Sequence, residues 1–197
     1  MDIIAFDTET TGLPIWKEPS ESEGQPHIVE IAALLYSPSG DLIDEFSALV
    51  KPDGWTISQE MTDIHGITQE QAMDEGIPEA EALAGYLAIH ARAGLRVGHN
   101  VSFDDRILRI AIKRYGAGAT QEERDVLADL YKAGESYCTC WKNKPVLAIP
   151  GPRGHKLPTL AEAYQHYFGT APEVAHRARA DAEACARIYF AMQQKAA

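Results

Sequence analysis

Asp7 and Glu9 stand two residues apart at the end of an apolar segment, residues 2–7, that predicts a buried strand. Because side chains alternate along a strand, both carboxylates point the same way. Two like charges this close repel unless a cation lies between them, and hard divalent cations prefer oxygen ligands. The pair therefore predicts a divalent-metal site, with a solvated strand end carrying two unrelated acids as the alternative interpretation.

A third carboxylate, Asp104, lies near the start of a predicted helix. Ile107, Leu108 and Ala111 follow it at helical spacing, so Asp104 shares the face that seeks the core. Asp105 shares less of that face. A negative side chain also stabilises the N-terminus of any helix, and this simpler role for Asp104 remains open.

The last predicted helix carries a fourth carboxylate, Asp181, on its apolar stripe. The residues three, four, seven and eleven positions later are all apolar: Ala184, Cys185, Ile188 and Met192. A carboxylate on a buried stripe is costly unless it is paired or bound to a cation, and an exposed acid in the first turn is the alternative. His176 precedes Asp181 by five residues, where a loop can bring its ring over the same site.

Together these residues form a recognisable set of four carboxylates from three separated segments and one histidine. Two divalent cations about 3.5–4 Å apart can hold the attacking and leaving oxygens of a phosphodiester displacement. A neutral imidazole within hydrogen-bond reach can take the proton from the attacking water. The set is therefore typical of metal-dependent phosphodiester hydrolysis.

Periodicity and turn chemistry predict the elements that must position these side chains. Strands are predicted over residues 2–7, 28–36, 42–50, 95–98 and, at a sheet edge, 137–141, with the second and third forming a hairpin. Helices are predicted from Thr68 (capped with Gln71), over 78–93, from Ser102 (capped with Asp105) to 115, over 121–132, from Thr159 (capped with Glu162) to 169, and over 179–194. Residues 14–26 and 142–156 are predicted loops. One hairpin plus alternating strands and helices favours a mixed-sheet α/β fold.

The composition sets broader limits. With 197 residues, 45% apolar and 24% charged, the chain is expected to form a single domain, 1–197. Its three cysteines imply no disulfide framework, and core packing or a strand edge is favoured over a soft-metal site for Cys138 and Cys140. No leader or bilayer-length apolar run is visible, so we expect a cytoplasmic protein with no membrane partner. A net charge of −11 argues against a protein that coats nucleic acid.

The sequence resembles the DEDDh (DnaQ-like) 3′→5′ exonucleases, whose members include the proofreading epsilon subunit of bacterial replicative polymerase. The resemblance is carried by Phe6-Asp7-Thr8-Glu9-Thr10-Thr11-Gly12-Leu13, His99-Asn100-x-x-Phe103-Asp104 and His176-x-Ala178-x-x-Asp181-Ala182, with lesser matches at 64–68 and 157–169. It spans nearly the whole chain. It implies an RNase H-like fold with a central mixed five-stranded β-sheet, the first strand in the middle and helices on its faces. It also implies 3′→5′ polarity, which residue spacing cannot show.

Carried over by position, the resemblance implies roles for particular residues. Two divalent metal ions, Mg²⁺ or Mn²⁺, would be held by Asp7, Glu9, Asp104 and Asp181, with Asp7 touching both ions. His176 would be the general base. Secondary contacts to the terminal nucleotide or its phosphates would come from Thr10, Leu13, His65, Asn100 and Phe103. Leu13 and Phe103 have a core position as their alternative.

A run of cations lies between the second and third motifs. Residues 141–160 contain no Asp or Glu but include Lys142, Lys144, Arg153 and Lys156. Within an acidic chain this stretch is a candidate phosphate track, and an ordinary solvated loop is an equal alternative. The helix after Asp104 adds Arg106, Lys113 and Arg114, which either extend the track or are solvated.

The leading hypothesis is a metal-dependent exonuclease that releases 5′-mononucleotides from DNA, with a single-stranded 3′ end as the favoured substrate. An RNA-directed exoribonuclease is the alternative within the same family, because no residue that reads a 2′-hydroxyl is identifiable. A different class is a proofreading or assembly subunit that acts mainly by binding a polymerase or repair complex. A catalytically inactive relative ranks last because all five chemical positions are filled.

Overall fold

A computed structural model describes residues 1–172 and 176–196 of the chain. The strands are β1 (Ile3–Thr10), β2 (Ile28–Tyr36), β3 (Leu42–Leu49), β4 (Leu95–Gly98), β5 (Ser136–Cys138), β6 (Pro150–Gly151) and β7 (Gly154–His155). The helices are α1 (Gln59–His65), α2 (Gln69–Glu75), α3 (Glu79–His90), α4 (Val101–Tyr115), α5 (Gln121–Ala133), α6 (Thr139–Leu147), α7 (Leu160–Phe168) and α8 (Ala178–Ala196). None of these helices is long and apolar enough to cross a membrane.

Five strands form one sheet in the order β3-β2-β1-β4-β5. The β1–β2 and β2–β3 pairs are antiparallel, whereas β1–β4 and β4–β5 are parallel. The predicted mixed five-stranded sheet with its first strand in the middle is therefore confirmed.

The two faces of β1 contact different helices. Ile4 and Phe6 belong to a large core cluster that includes residues of α3 and α4. On the opposite face Ala5 packs with alanines of β2 and α8, including Ala178, Ala182 and Ala186. Small side chains on both surfaces let the helix lie close to the sheet. Because side chains alternate, Asp7 and Glu9 share the face of Ala5 and point toward α8.

The start of α4 differs from the sequence prediction. The helix begins at Val101 and its N-cap, Asn100, has a left-handed backbone with a φ of 71°. The proposed cap of Ser102 with Asp105 is wrong, since the Asp105 carboxylate accepts hydrogen bonds from Tyr131 Oη at 3.1 Å and Arg96 Nη2 at 3.4 Å. Asp105 thus stabilises the packing of α4 on its neighbours rather than its own first turn.

Residues 137–156 also differ from prediction. The edge strand ends at Cys138, whose Sγ accepts a hydrogen bond from the amide of Trp141 and so caps α6. The Pro- and Gly-rich composition predicted a loop from 142, but the helix continues to Leu147 and is followed by the β6–β7 hairpin. Asn143 is fully buried and bonds the Thr139 carbonyl, which helps to hold this turn of helix. The cap of α7 by Thr159 and Glu162 is as predicted.

The loop at 14–26 is ordered around Gln25. The Gln25 side chain is buried and bonds the backbone of Ile15 in both directions, at 3.0 and 3.1 Å. From outside the loop, Arg114 donates to the Pro26 carbonyl at 2.7 Å and Lys113 pairs with Glu21 at 3.0 Å. These cations of α4, which are candidates for a phosphate track, therefore hold the loop against the helix.

Candidate active site

Asp104 is almost fully buried, with 2% of its surface exposed, in the first turn of α4. Its Oδ1 accepts hydrogen bonds from the amide of Thr8 at 3.0 Å and from the Thr8 hydroxyl at 2.7 Å. Thr8 lies between Asp7 and Glu9 on β1 and points to the other face of the sheet. It thereby ties the second motif to the first. Burial raises the pKa of Asp104 to about 8 although both bonds from Thr8 oppose that rise.

The third motif meets the first across the sheet face. The side-chain donor atoms of Glu9, His176 and Asp181 all lie within 4.8 Å of one another. Asp181 Oδ2 accepts the His176 amide at 3.1 Å. Asp181 Oδ1 is buried and has no hydrogen-bond partner among the described residues. A buried carboxylate oxygen without a partner is costly, so this atom is suited to a ligand that brings positive charge.

His176 has an unusual backbone conformation for a residue with a side chain. Its φ is 60°, in the left-handed region. Non-glycine residues held there cost on the order of 1–3 kcal/mol and persist when the surrounding structure determines them. Here the amide of His176 donates to Asp181, and the next residue, Arg177, forms an ion pair with Glu30. The strain is located at the residue predicted to act as the base.

The pKa values of all four carboxyls are raised, chiefly by burial, and repulsion within the cluster adds to the rise for Asp7 and Glu9. Burial, followed by the nearby charge of Asp104 and then Glu9, holds the pKa of Asp7 well above its usual range. Burial and the charges of Asp181 and Glu30 raise the pKa of Glu9 to about 7. The pKa of Asp181 is also raised, chiefly by burial. An uncompensated cluster of oxygen donors fits a divalent cation, which would remove this repulsion.

These shifts predict how stability responds to pH and to metal. Between its unfolded and folded pKa values, a carboxyl with a raised pKa is protonated in the folded protein and ionised in the unfolded chain. Its contribution to the free energy of unfolding is therefore fully present below the unfolded pKa and is lost as the pH rises through the folded pKa. For Glu9 the window runs from 4.5 to about 7, and for Asp104 from 3.8 to about 8. We expect the metal-free protein to lose stability as the pH rises across this window.

The measurement is thermal unfolding in EDTA and in Mg²⁺ at the two ends of that window. Mg²⁺ should raise the melting temperature much more at the alkaline end, where the carboxylates are ionised. A metal-free melting temperature that rises across the window, or a Mg²⁺ effect independent of pH, would contradict the assignment of the cluster.

The predicted substrate-contact residues differ in how exposed their side chains are. Leu13 is 79% exposed, so its core alternative is wrong. Phe103 is half-buried against the main core, so its core alternative holds in part. The Thr10 hydroxyl donates to the Gly12 carbonyl at 2.7 Å and stabilises the turn that presents Leu13. Asn100 is exposed at the start of α4.

His65 is buried at the end of α1. Its Nδ1 accepts the amide of Ile67 at 3.1 Å, which leaves the proton on Nε2. Nε2 is buried without a partner among the described residues. Burial lowers the pKa of His65, and the charges of Glu30, Arg177 and His176 act on it. A neutral His65 therefore lies next to the third motif with a free donor.

Sequence reasoning missed Glu30 and Arg177. Glu30 lies on β2 directly opposite Glu9, and its side chain is 7% exposed. Arg177 binds it in bidentate fashion, with Nη2 2.7 Å from Oε1 and Nε 3.1 Å from Oε2. Two features of the sequence could have indicated this pair. Glu30 is an acidic residue within an otherwise apolar strand, and Arg177 directly follows the predicted base.

The candidate phosphate track is partly engaged within the protein. Lys156 pairs with Glu162 at 2.6 Å. Lys142 and Lys144 lie over the rings of Tyr137 and Trp141 at 5.7 and 5.3 Å from the ring centres. A phosphate track along residues 141–160 stays a prediction, and fewer of its cationic side chains are available to bind phosphate.

The chain is similar in sequence to DNA polymerase III proteins. It is 28% identical over 204 residues to the PolC-type DNA polymerase III of Lacticaseibacillus paracasei, covering 100% of this chain and 12% of that protein. It is 30% identical over 192 residues to the PolC-type DNA polymerase III of Thermotoga maritima, covering 95% of this chain and 11% of that protein. Against the epsilon subunit of DNA polymerase III of Treponema pallidum it is 26% identical over 188 residues, covering 95% and 74%. The chain thus corresponds to only a small part of the PolC-type proteins.

Solved structures of exonuclease I have the same fold. The E. coli enzyme in complex with a 5cy-dA13 oligonucleotide matches with a TM-score of 0.69 at 18% identity, over 98% of this chain and 40% of that one. The enzyme from Methylocaldum szegediense matches with a TM-score of 0.70 at 20% identity, over 98% and 40%. The zinc-bound form of the E. coli complex with single-stranded DNA matches with a TM-score of 0.68 at 20% identity, over 98% of this chain and 41% of that one. The predicted RNase H-like fold is confirmed.

The family described as Exonuclease (RNase T) matches residues 4–189. That range contains all three motifs and extends from the second residue of β1 through the greater part of α8. The predicted resemblance and the predicted class of enzyme agree with this match. The chain belongs to the exonuclease family.

Proposed function

We propose that the chain is a metal-dependent 3′→5′ exonuclease that hydrolyses terminal phosphodiesters of DNA and releases 5′-mononucleotides. The observation that carries the proposal is the meeting of Asp7, Glu9, Asp104 and Asp181 beside His176, with the pKa of each carboxyl raised. A cluster whose charges repel one another in the folded protein is a functional-site candidate on physical grounds. Family membership supports the same reaction class.

The four carboxylates are the residues that would hold the metal ions. Their hard oxygen donors suit Mg²⁺ or Mn²⁺, and the partnerless Oδ1 of Asp181 is a free donor atom. Two such ions, when bound, would stabilise the charge that develops on the phosphorus and the departing 3′ oxygen. Because Thr8 already occupies Oδ1 of Asp104, that residue offers mainly its other oxygen.

His176 is the proposed general base. A ring nitrogen lies within 4.8 Å of carboxylate oxygens of Glu9 and Asp181, so a water held between them is within reach of the imidazole. The ring would take the proton from this water as its oxygen attacks phosphorus. His176 is exposed, so the proton can pass on to solvent before the next cycle.

The proposed substrate is a single-stranded 3′ end of DNA. Leu13, the last residue of the first motif, is exposed and would wedge against the terminal base. Thr10, His65, Asn100 and Phe103 would contact the same nucleotide. Support comes from DNA-polymerase relatives and from exonuclease I structures that contain DNA oligonucleotides. RNA is the alternative substrate.

The polymerase III relatives also favour a second role, attachment to a polymerase or repair complex. Comigration with a polymerase on size-exclusion chromatography would support this role, and separate elution would favour a stand-alone enzyme.

The proposal predicts a defined digestion pattern. With 5′-labelled single-stranded DNA and matching RNA, in Mg²⁺, Mn²⁺ and EDTA, we expect a ladder that shortens from the 3′ end. EDTA should abolish it, and DNA should be cleaved faster than RNA. Shortening from the 5′ end or cleavage in EDTA would overturn the mechanism, and preference for RNA would overturn the substrate assignment.

A further inference from the structure

We propose that Glu30 and Arg177 form a positioning pair that sets the location of His176 for catalysis, an inference that rests on the proposed function. Neither residue is among the four carboxylates or the base. Arg177 donates to both Glu30 oxygens, through Nε at 3.1 Å to each and through Nη2 at 2.7 Å to Oε1. Glu30 Oε2 also accepts the amide of Ala178 at 2.8 Å.

The backbone of Glu30 is held in place by its own strand, β2. It lies in a strand whose residues are all buried, and it pairs across the sheet with Glu9. Its oxygens are occupied by N–H donors of Arg177 and Ala178, so they are not free to bind a cation. Glu30 also places negative charge at the N-terminus of α8, where it stabilises the helix. The pair therefore connects the central part of the sheet to the first turn of α8.

His176 lies directly before this anchored turn. On one side its amide is held by Asp181, and on the other Arg177 is held by Glu30. Its left-handed backbone lies between these two contacts. Loss of the pair would let residue 176 relax toward an ordinary conformation and move the imidazole away from Glu9 and Asp181. A change of about 1 Å in the position of a reacting group can cost roughly 100-fold in rate.

The chain offers a matched control on the same helix. Arg179 of α8 pairs with Glu45 of β3 at 2.8 Å, but these side chains are 45% and 44% exposed. In the proposed pair Glu30 is only 7% exposed and Arg177 is 43% exposed. Both pairs join α8 to the sheet through Arg and Glu, and only one of them flanks His176.

The test compares Glu30→Gln and Arg177→Lys with Glu45→Gln and Arg179→Lys, using single-stranded DNA in saturating Mg²⁺. Glutamine keeps the shape of Glu30, and lysine keeps the charge of Arg177 without its bidentate fork. We expect the first two variants to lose about 10- to 100-fold in kcat, the usual cost of removing a residue that orients a functional group. KM and the folded fraction should change little, and the control variants should match the unmodified chain.

Two further measurements separate positioning from general stability. In a His176→Ala background, Glu30→Gln should add almost no further loss, because residues that act through one another are not additive. An unchanged kcat in folded Glu30→Gln and Arg177→Lys, or an equal loss in both backgrounds, would overturn the proposal. Histidine-selective NMR gives a readout independent of cleavage. The His176 signals should shift in Glu30→Gln and not in Glu45→Gln, even if the unmodified chain fails to cleave DNA.

Discussion

Replacing Asp7 with asparagine is expected to abolish cleavage while leaving the fold intact. The side chain lies at the centre of the acidic cluster, where Asp104, Glu9 and Asp181 all act on its pKa. Asparagine keeps the size of the side chain but removes the charge that would attract two cations. We expect kcat to fall by about 1000-fold, the upper end of the loss seen when a group that stabilises charge in the transition state is removed.

The same substitution should stabilise the metal-free protein at alkaline pH, because it removes one of the repelling charges. Thermal unfolding in EDTA together with a cleavage assay tests both effects at once. Asp2→Asn is the matched control, since Asp2 precedes β1 at the end remote from the cluster. Full activity in Asp7→Asn would sink the site assignment, and a lower alkaline melting temperature would contradict the electrostatic account.

His176→Ala is expected to slow turnover by roughly 100- to 10,000-fold, the usual contribution of a general base. Metal binding should persist, because the four carboxylates stay in place and Asp181 bonds the backbone amide of residue 176 rather than its ring. The measurement pairs single-turnover cleavage with calorimetric titration of Mn²⁺.

His155→Ala, on the exposed β7 strand, provides the control for histidine substitution in general. Unchanged turnover in His176→Ala would remove this residue from the mechanism. Loss of Mn²⁺ binding in the same variant would instead make His176 a metal ligand.

The fold was largely predictable because its core elements are periodic in sequence. The apolar runs at 2–7 and 28–36 each correspond to an observed strand, the first of which extends to Thr10. In the apolar stripe after Asp181, Ala184, Cys185 and Ile188 are buried and Met192 is partly buried, as their spacing predicted. Errors occurred where a long-range contact outweighed local preference. Asp105 is bound to Tyr131 instead of capping α4, and Cys138 caps α6 where a strand was expected to continue.

The site was predictable in part for a related reason. A carboxylate on an apolar face is conspicuous in sequence, so Asp104 and Asp181 could be identified from their neighbours. The partners that orient them leave weaker traces. Thr8 is an ordinary strand residue until Asp104, 96 positions away, comes against it, and Glu30 meets Arg177 across 147 positions. Such contacts are properties of the folded topology and have no local pattern.

The use of α4 cations to hold residues 14–26 has a consequence for how the protein would meet a polyanion. Arg114 and Lys113 are engaged with the loop, and the chain as a whole carries a charge of −11. On the proposed function, few counterions would then be released from a DNA strand on binding, so affinity would depend only weakly on ionic strength. Attraction would arise mainly at the scissile phosphate, through divalent ions, and less along the length of the strand. Such a protein would engage strand ends and leave the interior of the polymer uncoated.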